Sequence, residues 1–209
     1  MSQYKEMDDK YLVETYVPDV YQKSIFNIDY DQLKKAGIKL ISFDIDDTIA
    51  PIEKVKPSKA SITLFEKLKL MGFELFLMSN ANYKRATLFG EMLNVDAVYR
   101  VNKPSTIGFI SIQKKYFEKF SIEIAAKEMA HIGNSMVKDV ATGKSYGVIT
   151  CLVRDVGLLP KTGRRLNPFQ TEGQKVRAIM KKRGLWRKHH LKEKGDQYYQ
   201  LGETPKYLR

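Results

Sequence analysis

Cysteine is all but missing from this chain: Cys151 stands alone among 209 residues. No internal disulfide can form, so burial must hold the fold together, and a reducing compartment suits it. The neighbours Ile149, Leu152 and Val153 mark Cys151 as a small core hydrophobe. Long apolar runs are lacking too, and nothing approaches the roughly 20 residues that cross a bilayer. The leading stretch from Met1 to Asp9 has no apolar signal core, so the expectation is a cytoplasmic chain that is not exported. His189-His190 has no cysteine beside it, so structural zinc is not expected. No internal repeat or low-complexity tract is visible.

Acids are outnumbered, with 24 Asp+Glu against 36 Lys+Arg and a net charge of +12. The deficit is local. Residues 160–209 hold 14 Lys+Arg and 4 acids, which leaves only +2 for residues 1–159. With 43% hydrophobic and 29% charged residues the composition is that of a folded protein, long enough for one good-sized domain and an appendage. The division expected is a core over 1–159 and a basic, partly helical extension over 160–209.

What is present, against that background, is a concentration of carboxylates. Apolar residues run from Ile38 to Phe43 and then give way to Asp44, Asp46 and Asp47, followed by Thr48. Carboxylates at the mouth of an apolar strand are costly unless a cation neutralises them, and hard divalent cations prefer such oxygens. Taken alone, the stretch reads equally well as an acidic turn.

Along the chain, a mixed lead-in to about residue 28 contains the breaker Pro18, and Asp29–Ala36 reads as a short helix stopped by Gly37. Strands are expected at 38–43, 73–78, 97–99, 129–132 and 148–153. Ser58 is a helix N-cap, with Leu64, Phe65, Leu68 and Met71 at helical spacing before Gly72. Further helices are expected over 83–93, over 106–117 with Ile107, Ile110 and Phe117 facing inward, and over 137–145. Strands alternating with helices predict crossover units and a parallel sheet covered on both faces. In such sheets the site lies beyond the carboxyl ends of the strands, where Asp44, Asp46, Ser79, Lys103, Asn134 and Asp139 all fall.

The ordered set Asp44-Ile-Asp46-Asp-Thr48, Ser79-Asn80, Lys103-Pro104 and Gly133-Asn134 followed by Asp139 resembles the four motifs of the haloacid dehalogenase (HAD) phosphatase superfamily. The segment from Pro18 to Asp29 and the lead Gly37-Ile-Lys are similar to its subfamily IIIA, YqeG-like branch, related to mitochondrial phosphatidylglycerophosphate phosphatases. The resemblance covers about residues 15–160. It implies an α/β, Rossmann-like three-layer sandwich with a central parallel sheet of about five strands.

It also implies roles. Asp44 would be the nucleophile, forming an aspartyl-phosphate that water hydrolyses. Asp46 would serve as general acid and then base, its backbone carbonyl binding metal. Thr48 and Asn80 would contact substrate, Ser79 would meet a phosphoryl oxygen, and Lys103 would offset charge on the nucleophile and the moving phosphoryl group. Mg²⁺ would rest on Asp44, Asp46, Asn134 and Asp139. Relatives usually carry Gly-Asp where this chain has Gly133-Asn134, which removes one negative charge from the metal site. Asp47, often Asn in the relatives, is a bystander. His131, between Ala130 and Ile132, reads as a strand residue.

The intervals from Asp44 to Ser79 and from Ser79 to Lys103 leave no room for an inserted cap domain. An open site admits large substrates, among them a phosphoprotein, a nucleic-acid end or a lipid headgroup. Two functions stay open. One is a Mg²⁺-dependent phosphomonoesterase acting on a lipid phosphate such as phosphatidylglycerophosphate. The other is a catalytically weak scaffold gripping RNA or an anionic membrane through residues 160–209, which would place it at the membrane periphery. In that extension Val176, Ile179 and Met180 share a helical face among Lys and Arg, with Leu185 and Trp186 beyond. The same face could equally pack on the core, with the lysines solvated.

Overall fold

The computed structural model describes residues 3–154 and 168–186. The chain alternates between strand and helix as the apolar pattern requires, and every strand pairing is parallel. The elements in order are α1 (Asp9–Tyr16), β1 (Val20–Gln22), α2 (Tyr30–Lys35), β2 (Leu40–Phe43), α3 (Lys59–Leu70), β3 (Glu74–Ser79), α4 (Tyr83–Leu93), β4 (Asp96–Tyr99), α5 (Ile107–Phe120), β5 (Met129–Gly133), α6 (Ala141–Tyr146), β6 (Ile149–Val153) and α7 (Pro168–Lys182).

The sheet order is β1-β6-β5-β2-β3-β4, so β2 runs down the middle with β5 and β3 at its sides. Phe43, the last residue of β2, pairs with Leu77 on one side and Ile132 on the other. Five strands are those expected, and β1 adds a sixth at one edge. It comes from the lead-in, where α1 also forms with Asp8 as its N-cap. Three strand residues are too short a run to show periodicity, so β1 was not legible before its partner β6 was placed.

Side-chain alternation across the strands divides the interior in two. Ile41, Phe43, Leu75, Leu77, Ala130 and Ile132 point toward Leu33, Phe65, Leu68 and Phe89 of α2, α3 and α4. On the other face, Leu40, Phe76, Met78 and Met129 meet Phe109 and Ile112 of α5. Three layers result. Between β2 and β3 there is one helix, α3, and between β3 and β4 only α4, so no cap domain is inserted at either point.

One expected face is wrong. Ile107, Ile110 and Phe117 are exposed, at 55, 56 and 51%. Gly108, Phe109 and Ile112 are buried in their place. α5 lies so close to β3 that a β-carbon on Gly108 would sit 2.6 Å from the Met78 sulfur. That approach fixes the rotation of the helix and carries Phe109 against Tyr146, ring centroids 5.0 Å apart. The sequence offers two apolar faces here, and periodicity cannot choose between them.

In the basic extension, α7 is seated on the body of the protein. Val176, Met180 and Trp186 are buried with Tyr4, Leu12, Tyr16, Tyr21 and Met136. The Trp186 and Tyr21 rings meet edge to face at 5.9 Å, with the Arg177 guanidinium 5.0 Å from the Trp186 ring. Arg183 donates to the carbonyls of Met7 and Lys5, each at 2.6 Å. The face considered for a membrane or RNA is therefore covered by the protein itself. The boundary expected near residue 160 and His189-His190 lie outside the described residues. No described helix is long and apolar enough to cross a membrane.

Candidate active site

Asp44 extends β2 by one residue, its N–H donating to Ile132 O at 2.9 Å. The chain then turns sharply. Thr48, Ile49 and Ala50 all donate to the carbonyl of Ile45, and Asp47 N–H donates to Ala50 O. The turn is thus closed on the carbonyls of Ile45 and Ala50, not on that of Asp46. Asp47 makes it fold: its φ is +59°, a conformation that Asp and Asn tolerate and most residues do not. Its Oδ1 accepts from Ile52 N–H at 3.1 Å, a structural task, and Asp47 also lines the cleft at the carboxyl edge of the sheet.

Seven of the eight residues singled out in the sequence (Asp44, Asp46, Ser79, Asn80, Lys103, Asn134 and Asp139) line one cleft of about 110 Å³ at the carboxyl edge of the sheet. Thr48 is the exception. It is fully buried behind the cleft, where its hydroxyl donates to Asn134 Oδ1 at 3.2 Å. Asn80 lines the cleft, but its amide is turned onto the Lys103 main chain: Oδ1 accepts from Lys103 N–H at 2.7 Å, and Nδ2 donates to Lys103 O at 3.4 Å. The Lys103-Pro104 peptide is cis. Ser79, at the end of β3, accepts from Ala81 N–H at 3.1 Å, which aligns its buried hydroxyl with the cleft.

At the centre is Lys103. Its ammonium donates to Asp44 Oδ1 at 2.7 Å, to Asp139 Oδ1 at 2.5 Å and to Met78 O at 3.0 Å, which uses all three of its hydrogens. Burial alone would lower the lysine pKa. Asp139 and then Asp44 outweigh burial and hold it above the ordinary value. One ammonium cannot neutralise two buried carboxylates equally. For Asp139 burial is opposed by Lys103 and then by His131, and its pKa is held well below the usual carboxylate range. Asp44 has less help: burial, with repulsion from Asp139, raises it to about 6 against the pull of Lys103.

The fourth motif places Asp139 in a π-helical turn, Met136–Val140, started by Ser135. Asp139 Oδ2 accepts from Ser135 N–H at 2.9 Å, and Oδ1 lies 3.2 Å from His131 Nε2. An ionised carboxylate has no proton to give, so Nε2 carries the hydrogen and Nδ1 accepts from Ser42 Oγ at 2.9 Å. Burial keeps His131 neutral by lowering its pKa. Asp139 also explains Gly133, where a β-carbon would stand 2.2 Å from the Asp139 Cγ.

Three contributors were missed or undervalued in the sequence. His131 is a strand residue, yet it braces Asp139. Arg85, on the first turn of α4, donates from Nε to Asp46 Oδ1 at 2.6 Å. Lys138 lines the cleft half-buried, its pKa lowered chiefly by burial. Nothing local in the sequence singles out Lys138 or Arg85.

The oxygens that could hold a hard cation are the carboxylates of Asp44 and Asp139, the amide oxygen of Asn134 and the carbonyl of Asp46. Among the described residues no three of His, Cys, Asp and Glu gather as a metal-holding group, so such an ion would draw on neutral oxygens as well. Two buried carboxylates converging on one positive charge form an all-oxygen donor set, and it fits Mg²⁺.

Comparison with known proteins gives the family. The family described as mitochondrial PGP phosphatase matches residues 10–157. A relative from Bacillus subtilis (strain 168), named probable phosphatase YqeG, is 26% identical over 177 residues, covering 83% of this chain and 96% of its own. Among solved structures, a 3-deoxy-D-manno-octulosonate 8-phosphate phosphatase from Vibrio cholerae has a TM-score of 0.45 at 14% identity, covering 78% of this chain and 94% of its own. A HAD superfamily (subfamily III A) hydrolase from Legionella pneumophila has a TM-score of 0.41 at 13% identity, covering 75% and 91%. With its parallel sheet, its carboxylates gathered at the edge and a family match across most of its length, the chain belongs to the mitochondrial PGP phosphatase family of YqeG-like HAD phosphatases.

Proposed function

We propose that this phosphatase is a Mg²⁺-dependent phosphomonoester hydrolase that works through an aspartyl-phosphate on Asp44. The observation that carries the reading is the buried cluster of Asp44, Lys103 and Asp139 at the floor of an open cleft. Asp44 attacks phosphorus as the bond to the leaving oxygen breaks, and Asp46 gives that oxygen its proton. Water then attacks the aspartyl-phosphate, Asp46 takes the water's proton, and orthophosphate leaves. Lys103 and Lys138 offset the charge on the phosphoryl oxygens, and the Ser79 hydroxyl donates to one of them. Bound Mg²⁺ would screen the repulsion between carboxylate and phosphate. Asp44, Asp139, Asn134 and the Asp46 carbonyl would hold it.

With no cap domain inserted between β2 and β3 or between β3 and β4, the substrate class favoured is a large or surface-presented phosphate, and the family match supports a lipid such as phosphatidylglycerophosphate. Phosphate release from an aryl phosphate and from phosphatidylglycerophosphate, with and without Mg²⁺, tests the reading. The lipid should be turned over only with the metal, and Asp44→Asn should lose about a thousandfold or more in kcat. An Asp44→Asn variant as active as the parent would sink the mechanism.

A further inference from the structure

The Asp46 carboxylate lies beyond the end of β2, in the turn, so strand geometry does not set its direction. Arg85 does. Nε of Arg85 donates to Asp46 Oδ1 at 2.6 Å, Nη1 to Lys54 O at 2.6 Å and Nη2 to Pro51 O at 3.4 Å. The guanidinium also lies 4.7 Å from the Phe89 ring. Its own backbone is fixed, because Asn82, the N-cap of α4, accepts from Arg85 N–H at 3.0 Å. The two side chains of the ion pair are only 17% and 27% exposed, unlike a solvated surface pair. Arg85 does not line the cleft, whereas Asp46 does.

We propose that Arg85 is a positioning residue for proton transfer. It holds Oδ1 of Asp46 so that the other oxygen, Oδ2, faces the cleft to deliver and recover the proton. Through the Pro51 and Lys54 carbonyls it also fixes the loop that carries Ile52, a lining residue, against α4. A planar fork meets these three acceptors at once, which the point charge of a lysine cannot do. The proposal rests on the phosphomonoesterase reading above. In the first step the proton on Oδ2 passes to the leaving oxygen as that oxygen's bond to phosphorus breaks. In the second, Oδ2 takes a proton from the water that attacks the aspartyl-phosphate.

The experiment compares 4-nitrophenyl phosphate, whose leaving group needs no proton, with phosphatidylglycerophosphate in detergent micelles, whose leaving alkoxide does. With the lipid, Arg85→Ala should lower kcat roughly a hundredfold, the scale of general acid catalysis. With the aryl ester the first step should stay fast and the second should slow, giving a pre-steady-state burst of nitrophenolate that the parent lacks. Arg85→Lys should show the same pattern more weakly, with an unchanged melting temperature. In an Asp46→Asn background, Arg85→Ala should cost nothing further. Equal losses on both esters, no burst, and losses additive with Asp46→Asn would overturn the positioning role and leave the phosphatase reading intact. No turnover of either ester by the parent, with Mg²⁺ present, would overturn that reading and this proposal with it.

Discussion

Asn80 holds the main chain of Lys103 at both ends, accepting its N–H and donating to its carbonyl. The two residues stand 23 apart in sequence and follow different strands, β3 and β4. The lysine that joins the two carboxylates is thereby presented from a loop braced by another motif. Asn80→Ala leaves the Lys103 N–H without its acceptor, at a cost of about 1–3 kcal/mol. The expected outcome is a kcat lower by about tenfold or more and a measurable drop in melting temperature, read by steady-state kinetics and calorimetry.

Removing the ammonium itself should act on stability and metal affinity in opposite directions. Lys103→Met leaves Asp44 and Asp139 facing each other, buried and unneutralised, and breaking such a cluster costs about 3–5 kcal/mol. Urea unfolding without metal should show that loss. Added Mg²⁺ should recover more stability in the variant than in the parent, because a cation that binds only the folded state stabilises it by mass action.

Asp44 sets a sign for pH. Its folded pKa, raised to about 6, lies above the ordinary 3.8, so the folded state binds the extra proton between those values. Its contribution is fully present below about pH 4 and is lost as pH rises through 6. Without metal, the parent should therefore lose stability over that window relative to Asp44→Asn, where no proton is gained. Asp139 runs the other way: its lowered pKa contributes stability above pH 4 that disappears only in strong acid. Chemical denaturation from pH 3 to 8 measures the Asp44 effect, and over that range the stability from Asp139 should be largely retained.

Asn134 tests the missing charge. Its amide oxygen accepts from buried Thr48, so the residue is already oriented by the fold. Asn134→Asp restores a carboxylate, and the Mg²⁺ concentration giving half-maximal activity should fall by roughly tenfold. An unchanged metal dependence would mean that the amide oxygen is as good a ligand as a carboxylate in this cleft.

Trp186 is the only tryptophan, and it closes the small cluster beneath α7. Trp186→Ala should cost about 3–5 kcal/mol in urea unfolding, the range for emptying a large aromatic site. Turnover by the folded fraction should be unchanged, since the residue lies outside the cleft.

The edge that carries the candidate site was legible because four short motifs each stand at a strand end, and parallel strands bring such ends together whatever lies between. Asp44, Ser79, Lys103 and Asp139 therefore assembled as their order predicted. The sequence could not show what holds them. Arg85 and Asn80 act on residues far along the chain, and Thr48 points away from the cleft because the Asp47 turn directs it at Asn134. For the tail, packing on the core was one of the readings kept open, and the structure shows it for α7. A basic amphipathic helix looks the same whether its apolar face meets lipid or protein, and only Tyr21 and the residues of α1 decide the matter here.

Gly133 bears no functional group, yet Asp139 passes over it where any side chain would stand. In a scan of all substitutions, the harshest losses should therefore not be confined to carboxylates and lysine. Gly133→Ala adds one methyl group and should be tolerated as poorly as loss of the Asp139 carboxylate itself. What this strand end requires is room for the Asp139 carboxyl, and a chemist reading only reactive groups would look past it.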